Sequence, residues 1–279
     1  MRPTRQSGPW LNVFLLLATI VTTVGVGASG IGAVAFSPPF NLSHGIAFSG
    51  TLLLILGVHE LGHYFMSRRW GMRVTLPYFI PVPIGLGTLG AFIKLRSPIP
   101  DRRVLFDIGA AGPIGGFVVS VVSIVVGLLH SQVLPPTDLS GGISLGSSLL
   151  FSFLTKLVLG VSPEDYTILL HPIALAGWLG LFVTVINLLP IGQLDGGHIV
   201  YALMGARHRV VALGTLAALI PMSLFWMGWL FWAGVTVLFG FRHPPLVNDY
   251  VRLDPKRRFL GWCCMAIFAV SFTPVPFQI

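Results

Sequence analysis

The feature that most constrains this chain is a series of apolar runs, each near 20 residues, divided by short charged or proline-rich segments. They lie at about 10–36, 46–66, 104–129, 172–189 and 259–277, with a sixth, interrupted run at 210–241. A helix rises 1.5 Å per residue, so about 20 apolar residues cross the roughly 30 Å hydrocarbon core of a bilayer. Lipid offers the backbone no hydrogen bonds, which favours helices over open sheets. Composition agrees, because only 9% of the 279 residues are charged, against roughly 25% in soluble domains. The expected fold is an all-α polytopic membrane protein with about six transmembrane helices. A small cytoplasmic, membrane-associated β hairpin or loop follows the second. Three parts are expected: a first span with an external loop over 1–45, a membrane core over 46–204, and C-terminal membrane helices over 205–279.

Charge orients these spans. Loop 67–103 holds Arg68, Arg69, Arg73, Lys94, Arg96, Arg102 and Arg103 against Asp101 alone. Loop 130–171 holds Lys156 against Asp138, Glu164 and Asp165. The positive-inside rule puts the first loop in the cytoplasm and the second outside, with Arg2 and Arg5 keeping the N-terminus inside. The net charge of +8 is therefore read as orientation, and no nucleic-acid partner is expected. The apolar run that begins at Trp10 is longer than a secretory signal's core, so it is read as a retained span. Over 210–241 two readings stay open: two short helices meeting near Pro221, or one long crossing. Cys263 and Cys264 are adjacent and give neither a disulfide framework nor zinc-site spacing. Gly85, Gly87 and Gly90 form a G-x-G-x-x-G string, but no βαβ pattern surrounds it, so dinucleotide binding is excluded.

The chemistry concentrates at His59-Glu60-Leu61-Gly62-His63. Residues four apart share a helix face, so His59 and His63 can present two imidazoles to one metal. Glu60 beside them can hold an attacking water as general base. With eight His and two Glu in the chain, chance supplies about 0.002 such motifs. Ionisable residues inside an apolar span cost a few kcal/mol and mark function. A third ligand is offered further on. Pro190 should end the fourth span, and Gly192, Gly196 and Gly197 let the chain turn sharply. Asp195 then sits at the same membrane depth as the two histidines.

His59-Glu60-x-x-His63 within a span, followed by Asn187-x-x-Pro190 and Leu194-Asp195-Gly196, resembles the site-2 protease family of intramembrane metalloproteases. The resemblance covers about residues 46–200, including the glycine-rich stretch 106–116. It implies one Zn2+ per chain, held by His59, His63 and Asp195, with Glu60 as base. Asn187 would steady the oxyanion or the substrate carbonyl. His198 is not carried over as a ligand, and His44, His130, His171, His208 and His243 receive no role. Gly112 and Gly116 are read as close-packing positions around the site.

Loop 67–103 carries one further expectation. Strand-like alternation ends in Ile93, Lys94, Leu95 and Arg96, and an exposed strand there could pair with an unwound substrate. An ordinary interfacial hairpin is the competing reading. Loop 130–171 is too short for a folded peptide-binding module. The expected activity is hydrolysis of peptide bonds in or near transmembrane segments of membrane proteins. The alternative is a metal-ion transporter using the same ligands. The expected location is the bacterial cytoplasmic membrane, with the lipid bilayer and a transmembrane protein substrate as partners. Substrate identity and oligomeric state are left open.

Overall fold

The computed structural model describes residues 8–31, 35–37, 39–136, 143–239 and 246–278. Arg2, Arg5, Asp138 and His243, named above, lie outside the described residues. The protein is a membrane protein built mainly from helices, with three small two-stranded sheets among the described residues. Among the described residues, four helical stretches are long and apolar enough to cross a membrane: Trp10–Ser29, Leu42–Arg69, Arg102–Leu128 and the composite Asp195–Met222. Pro172–Leu188 has 17 residues, about 26 Å of helix, and falls just short of that length.

Three helices form the centre: α2 (Leu42–Arg69), α3 (Arg102–Leu128) and α5 (Pro172–Leu188). Trp178, Leu179, Leu52, Phe48, Ile124 and Leu128 are buried between them. Each has a side-chain cap. Asn41 accepts from the N–H groups of Ser43 and His44, Asp101 from those of Arg103 and Val104, and His171 from that of Ile173. Such caps satisfy helix N–H groups that have no partner within the helix. Helix α1 (Trp10–Ser29) lies along α2, joined by a buried 2.7 Å hydrogen bond between Thr23 Oγ1 and Ser49 Oγ. It ends earlier than the apolar run suggests. Gly30, at φ +102°, turns the chain out of the helix where residues with a Cβ are strained.

The loop after α2 contains the expected hairpin. Strand β1 (Tyr78–Pro81) pairs antiparallel with β2 (Thr88–Phe92), with Tyr78 opposite Phe92. The expected strand segment 93–96 lies past the end of β2. It pairs separately, through a bridge between Val74 and Leu95. The hairpin is anchored to α1. Thr22 Oγ1 donates to the Gly87 carbonyl at 2.7 Å, and the Asn12 amide donates to the carbonyls of Leu76 and Pro77.

Segment 130–171 departs from the expected loop. It contains the apolar helix α4 (Leu149–Leu159), which Ser148 caps and Gly160 ends in the left-handed conformation. Eleven residues cannot cross a bilayer, so a search for spans passes over it. Around it, β3 (Gln132–Leu134) pairs with β5 (Thr167–Leu169), and β4 (Ser144–Leu145) pairs with β6 (Phe277–Gln278). Helix α6 (Asp195–Met204) begins at the proposed third ligand. Over the described part of 210–241, which ends at residue 239, the chain forms two helices, α7 (His208–Met222) and α8 (Gly228–Phe239), which pack together. Pro221 lies in the last turn of α7. The two-helix alternative therefore holds. The last helix, α9 (Pro255–Ser271), is shorter than its apolar run because the chain turns off at Phe272 toward β6.

Candidate metal centre

The HExxH segment lies in the second half of α2, two turns before its C-terminus. His59, Glu60 and His63 are buried. The i, i+4 spacing stacks the imidazoles edge to face, with ring centroids 4.8 Å apart. Helix α3 crosses here on its glycines. A Cβ on Gly112 would overlap the His63 ring, and one on Gly116 would lie 3.2 Å from His59 Nδ1. The expected close-packing role of these glycines is therefore to make room for the two imidazoles.

The third wall comes from the chain between α5 and α6. Helix α5 stops at Leu188, and Pro190 with Gly192 (φ +56°) bends the backbone into α6. A Cβ on Gly197 would meet the carbonyls of Gly192 and Ile191, so the turn closes only with glycine. Asp195, first residue of α6, thereby reaches the histidines. Its Oδ2 lies 3.2 Å from both His59 Nε2 and His63 Nε2, and the two Nε2 atoms are 3.1 Å apart. The three donors can hold a metal ion. Ligands about 2.0–2.1 Å from a tetrahedral zinc lie about 3.3 Å apart, so this triangle has the size zinc requires.

The surroundings fix the donor atoms. His63 Nδ1 lies 2.7 Å from the Ile108 carbonyl. A carbonyl can only accept, so Nδ1 carries the proton and Nε2 keeps its lone pair for a metal. The Asn187 amide nitrogen lies 3.4 Å from His59 Nε2, which brings Asn187 to the same point. The Glu60 carboxylate is faced by the backbone N–H of Ile93, so the segment after the hairpin reaches the site. The fold brings His59, Glu60, His63, Asn187 and Asp195 together.

A model of peptidase family M50 matches residues 47–228, more than half of the chain. The chain belongs to peptidase family M50. This is the family to which the site-2 proteases belong, so the resemblance carried by the motifs is confirmed. Among similar proteins, "Probable zinc metalloprotease EGY2, chloroplastic" of Arabidopsis thaliana is 31% identical over 243 residues, 85% of this chain and 43% of the relative. "Probable zinc metalloprotease EGY1, chloroplastic" of Oryza sativa subsp. japonica is 32% identical over 303 residues, 95% of this chain and 50% of the relative. The Arabidopsis thaliana protein named EGY1 is 34% identical over 242 residues, 80% of this chain and 42% of its own length. The chain spans about half the length of these relatives. No solved structure matches it.

Proposed function

We propose that this M50 chain is an intramembrane zinc metalloprotease that hydrolyses peptide bonds in or near transmembrane segments of membrane proteins. The observation that carries the reading is the buried triangle of His59, His63 and Asp195 donors, with Glu60 one residue away on the same helix. These residues would hold one Zn2+ per chain. When bound, the ion polarises a carbonyl and lowers the pKa of a coordinated water. Glu60 acts as general base, taking the proton from water and passing it to the leaving amine. Asn187, 3.4 Å from His59 Nε2, can donate its amide to the carbonyl oxygen as negative charge develops there. The transporter alternative is not favoured, because the donors converge on one point and do not line a path.

The strand proposal gains support from hydrogen-bond direction. Thr75 N–H donates to the Lys94 carbonyl, and Arg96 N–H donates to the Arg73 carbonyl. Alternation along a strand turns the N–H and C=O of Ile93 and Leu95 to the other edge, where Ile93 faces Glu60. Ile93, Lys94, Leu95 and Arg96 are thus proposed to hold an extended substrate beside the base. The finer architecture is part of the same proposal: about six membrane passages, with loop 67–103 and the site on the basic, inner side. In a bacterial cytoplasmic membrane that side is the cytoplasm. A first span over 1–45, a catalytic core over 46–204 and C-terminal helices over 205–279 complete it.

The test is cleavage of a single-span substrate by the purified chain, with zinc measured alongside. Glu60→Gln should lower the rate by at least about 100-fold and keep the zinc. Asp195→Ala should lose both. A Glu60→Gln protein that cuts at the normal rate ends this mechanism.

A further inference from the structure

A two-pronged ion pair joins the region that matches the family to a helix beyond it. Arg257 stands on α9, beyond residue 228. Its Nε and one terminal nitrogen donate to the two carboxylate oxygens of Asp107, each at 2.7 Å. Arg257 is held from behind as well. Asp254 caps α9 through the Arg257 N–H at 3.1 Å and also accepts from the Arg257 guanidinium. The Trp70 indole N–H, at the end of α2, donates to Asp107 Oδ2 at 3.1 Å. Asp107 therefore ties together α2, α3 and α9. Its side chain is only 14% exposed, so this carboxylate is largely shielded from water and its partners replace much of its hydration.

Asp107 is adjacent in sequence to Ile108, whose carbonyl accepts from His63 Nδ1 at 2.7 Å. That carbonyl fixes which nitrogen of His63 is free. The helix around it is weak on its own account. Pro113 has no N–H, so the Gly109 carbonyl loses its i to i+4 bond. The stretch 109–116 also contains Gly109, Gly112, Gly115 and Gly116, poor helix formers that the imidazoles require for space. A segment with a missing bond and little propensity needs outside support to keep the Ile108 carbonyl in place.

We propose that Arg257, acting through Asp107, is a positioning residue for His63: it fixes the α3 turn whose carbonyl orients this proposed zinc ligand. The proposal rests on the reading of the site as a zinc centre. A planar guanidinium suits the task, since two parallel hydrogen bonds fix direction as well as distance. The C-terminal helix is then part of the catalytic apparatus. Its sequence contains no motif that would show this.

A built-in control exists. Arg102 and Asp249 form a second two-pronged pair between α3 and the C-terminal segment, at 2.9 and 3.0 Å. Arg102 lies six residues from Ile108, more than a helical turn away. The experiment uses the whole 279-residue chain, zinc-loaded, as wild type, Arg257→Ala, Arg257→Lys and Arg102→Ala. It reads the rate of zinc loss to a chelator and the thermal midpoint. Both alanine variants should lower the midpoint, but Arg257→Ala alone should speed zinc loss, by about 10–100-fold, as loss of an outer partner does at other metal sites. Arg257→Lys, which keeps the charge and gives up the paired geometry, should fall between. If Arg257→Ala does not fold, Arg257→Lys must still lose zinc faster than Arg102→Ala. Zinc loss unchanged by the Arg257 substitutions, or raised equally by Arg102→Ala, overturns the proposal. A wild-type protein that binds no zinc removes it together with the reading of the site.

Discussion

At Gly112 the absence of a side chain is the functional property. A methyl group there would occupy the same space as the His63 ring. The ring cannot retreat, since its Nδ1 is bound to the Ile108 carbonyl and its Nε2 belongs to the donor triangle. Gly112→Ala should therefore weaken zinc retention by about 10–100-fold in a protein that still folds. Chelator competition measures it. Gly57→Ala, on the same helix as His63 but with nothing within 4 Å of the added carbon, should retain zinc normally. Equal retention by the two variants would refute the packing argument. At this scale the side-chain donors were legible in the sequence, because the helix period links His59 to His63 and the Pro190–Gly197 turn advertises Asp195. The Ile108 carbonyl was not, since a backbone acceptor has no sequence signature. Asp107 has a signal, as an acid inside the apolar run 104–129, whereas Arg257 stands among other basic residues before the last run and has none.

Helix ends and strand edges carry the next two predictions. The N-cap of α5 is an imidazole, His171, whose Nδ1 accepts from the Ile173 N–H at 3.3 Å. Burial, and then the neighbouring imidazoles of His130 and His44, hold the His171 pKa below its ordinary value. For a base with a depressed folded pKa, the unfolded chain takes up the proton first. Stability is thus lost as pH falls through the unfolded value, about 6.5. Protonation also ends the ability of Nδ1 to accept from Ile173. Between pH 7.5 and 5.5 the wild-type thermal midpoint should fall by about 2 °C more than that of His171→Asn, whose amide caps at either pH. Parallel curves for the two proteins would exclude His171 as the source. The substrate strand is tested by Ile93→Pro and Leu95→Pro. Each removes a ladder donor worth about 1 kcal/mol and should slow cleavage about fivefold with zinc content unchanged. Full activity of both would return the segment to an ordinary interfacial hairpin. Long elements were legible because length and apolarity alone define them. Helix α4 was missed because it is too short to span, and the boundary at Phe92 because strand alternation continues past the ladder. The 210–241 hairpin stayed undecided in the sequence, since basic flanks on both sides argued for two helices while 32 residues are short for two full crossings.

On the scale of the whole molecule, the parts of the site come from four helices and meet at one level. His59 and His63 precede the end of α2 by ten and six residues, about 15 and 9 Å along its axis. Ile108 and Gly112 lie in the first half of α3, which starts beside the same basic loop. Asn187 ends α5 and Asp195 begins α6. Antiparallel neighbours thus deliver all these residues to the side where Arg68, Arg69 and Arg73 stand, while Glu164 and Asp165 mark the other side. If the positive-inside rule holds for this chain, substrate is cut near the inner surface. A single cysteine at exposed Arg73, or at exposed Glu164, tests this in a background with Cys263 and Cys264 replaced by alanine. On intact cells an impermeant thiol reagent should label position 164 and leave position 73 untouched until the membrane is opened. Labelling of 73 and protection of 164 would turn the molecule over, carrying the whole site with it, because no residue of the donor triangle can change sides without the helices that hold the other two.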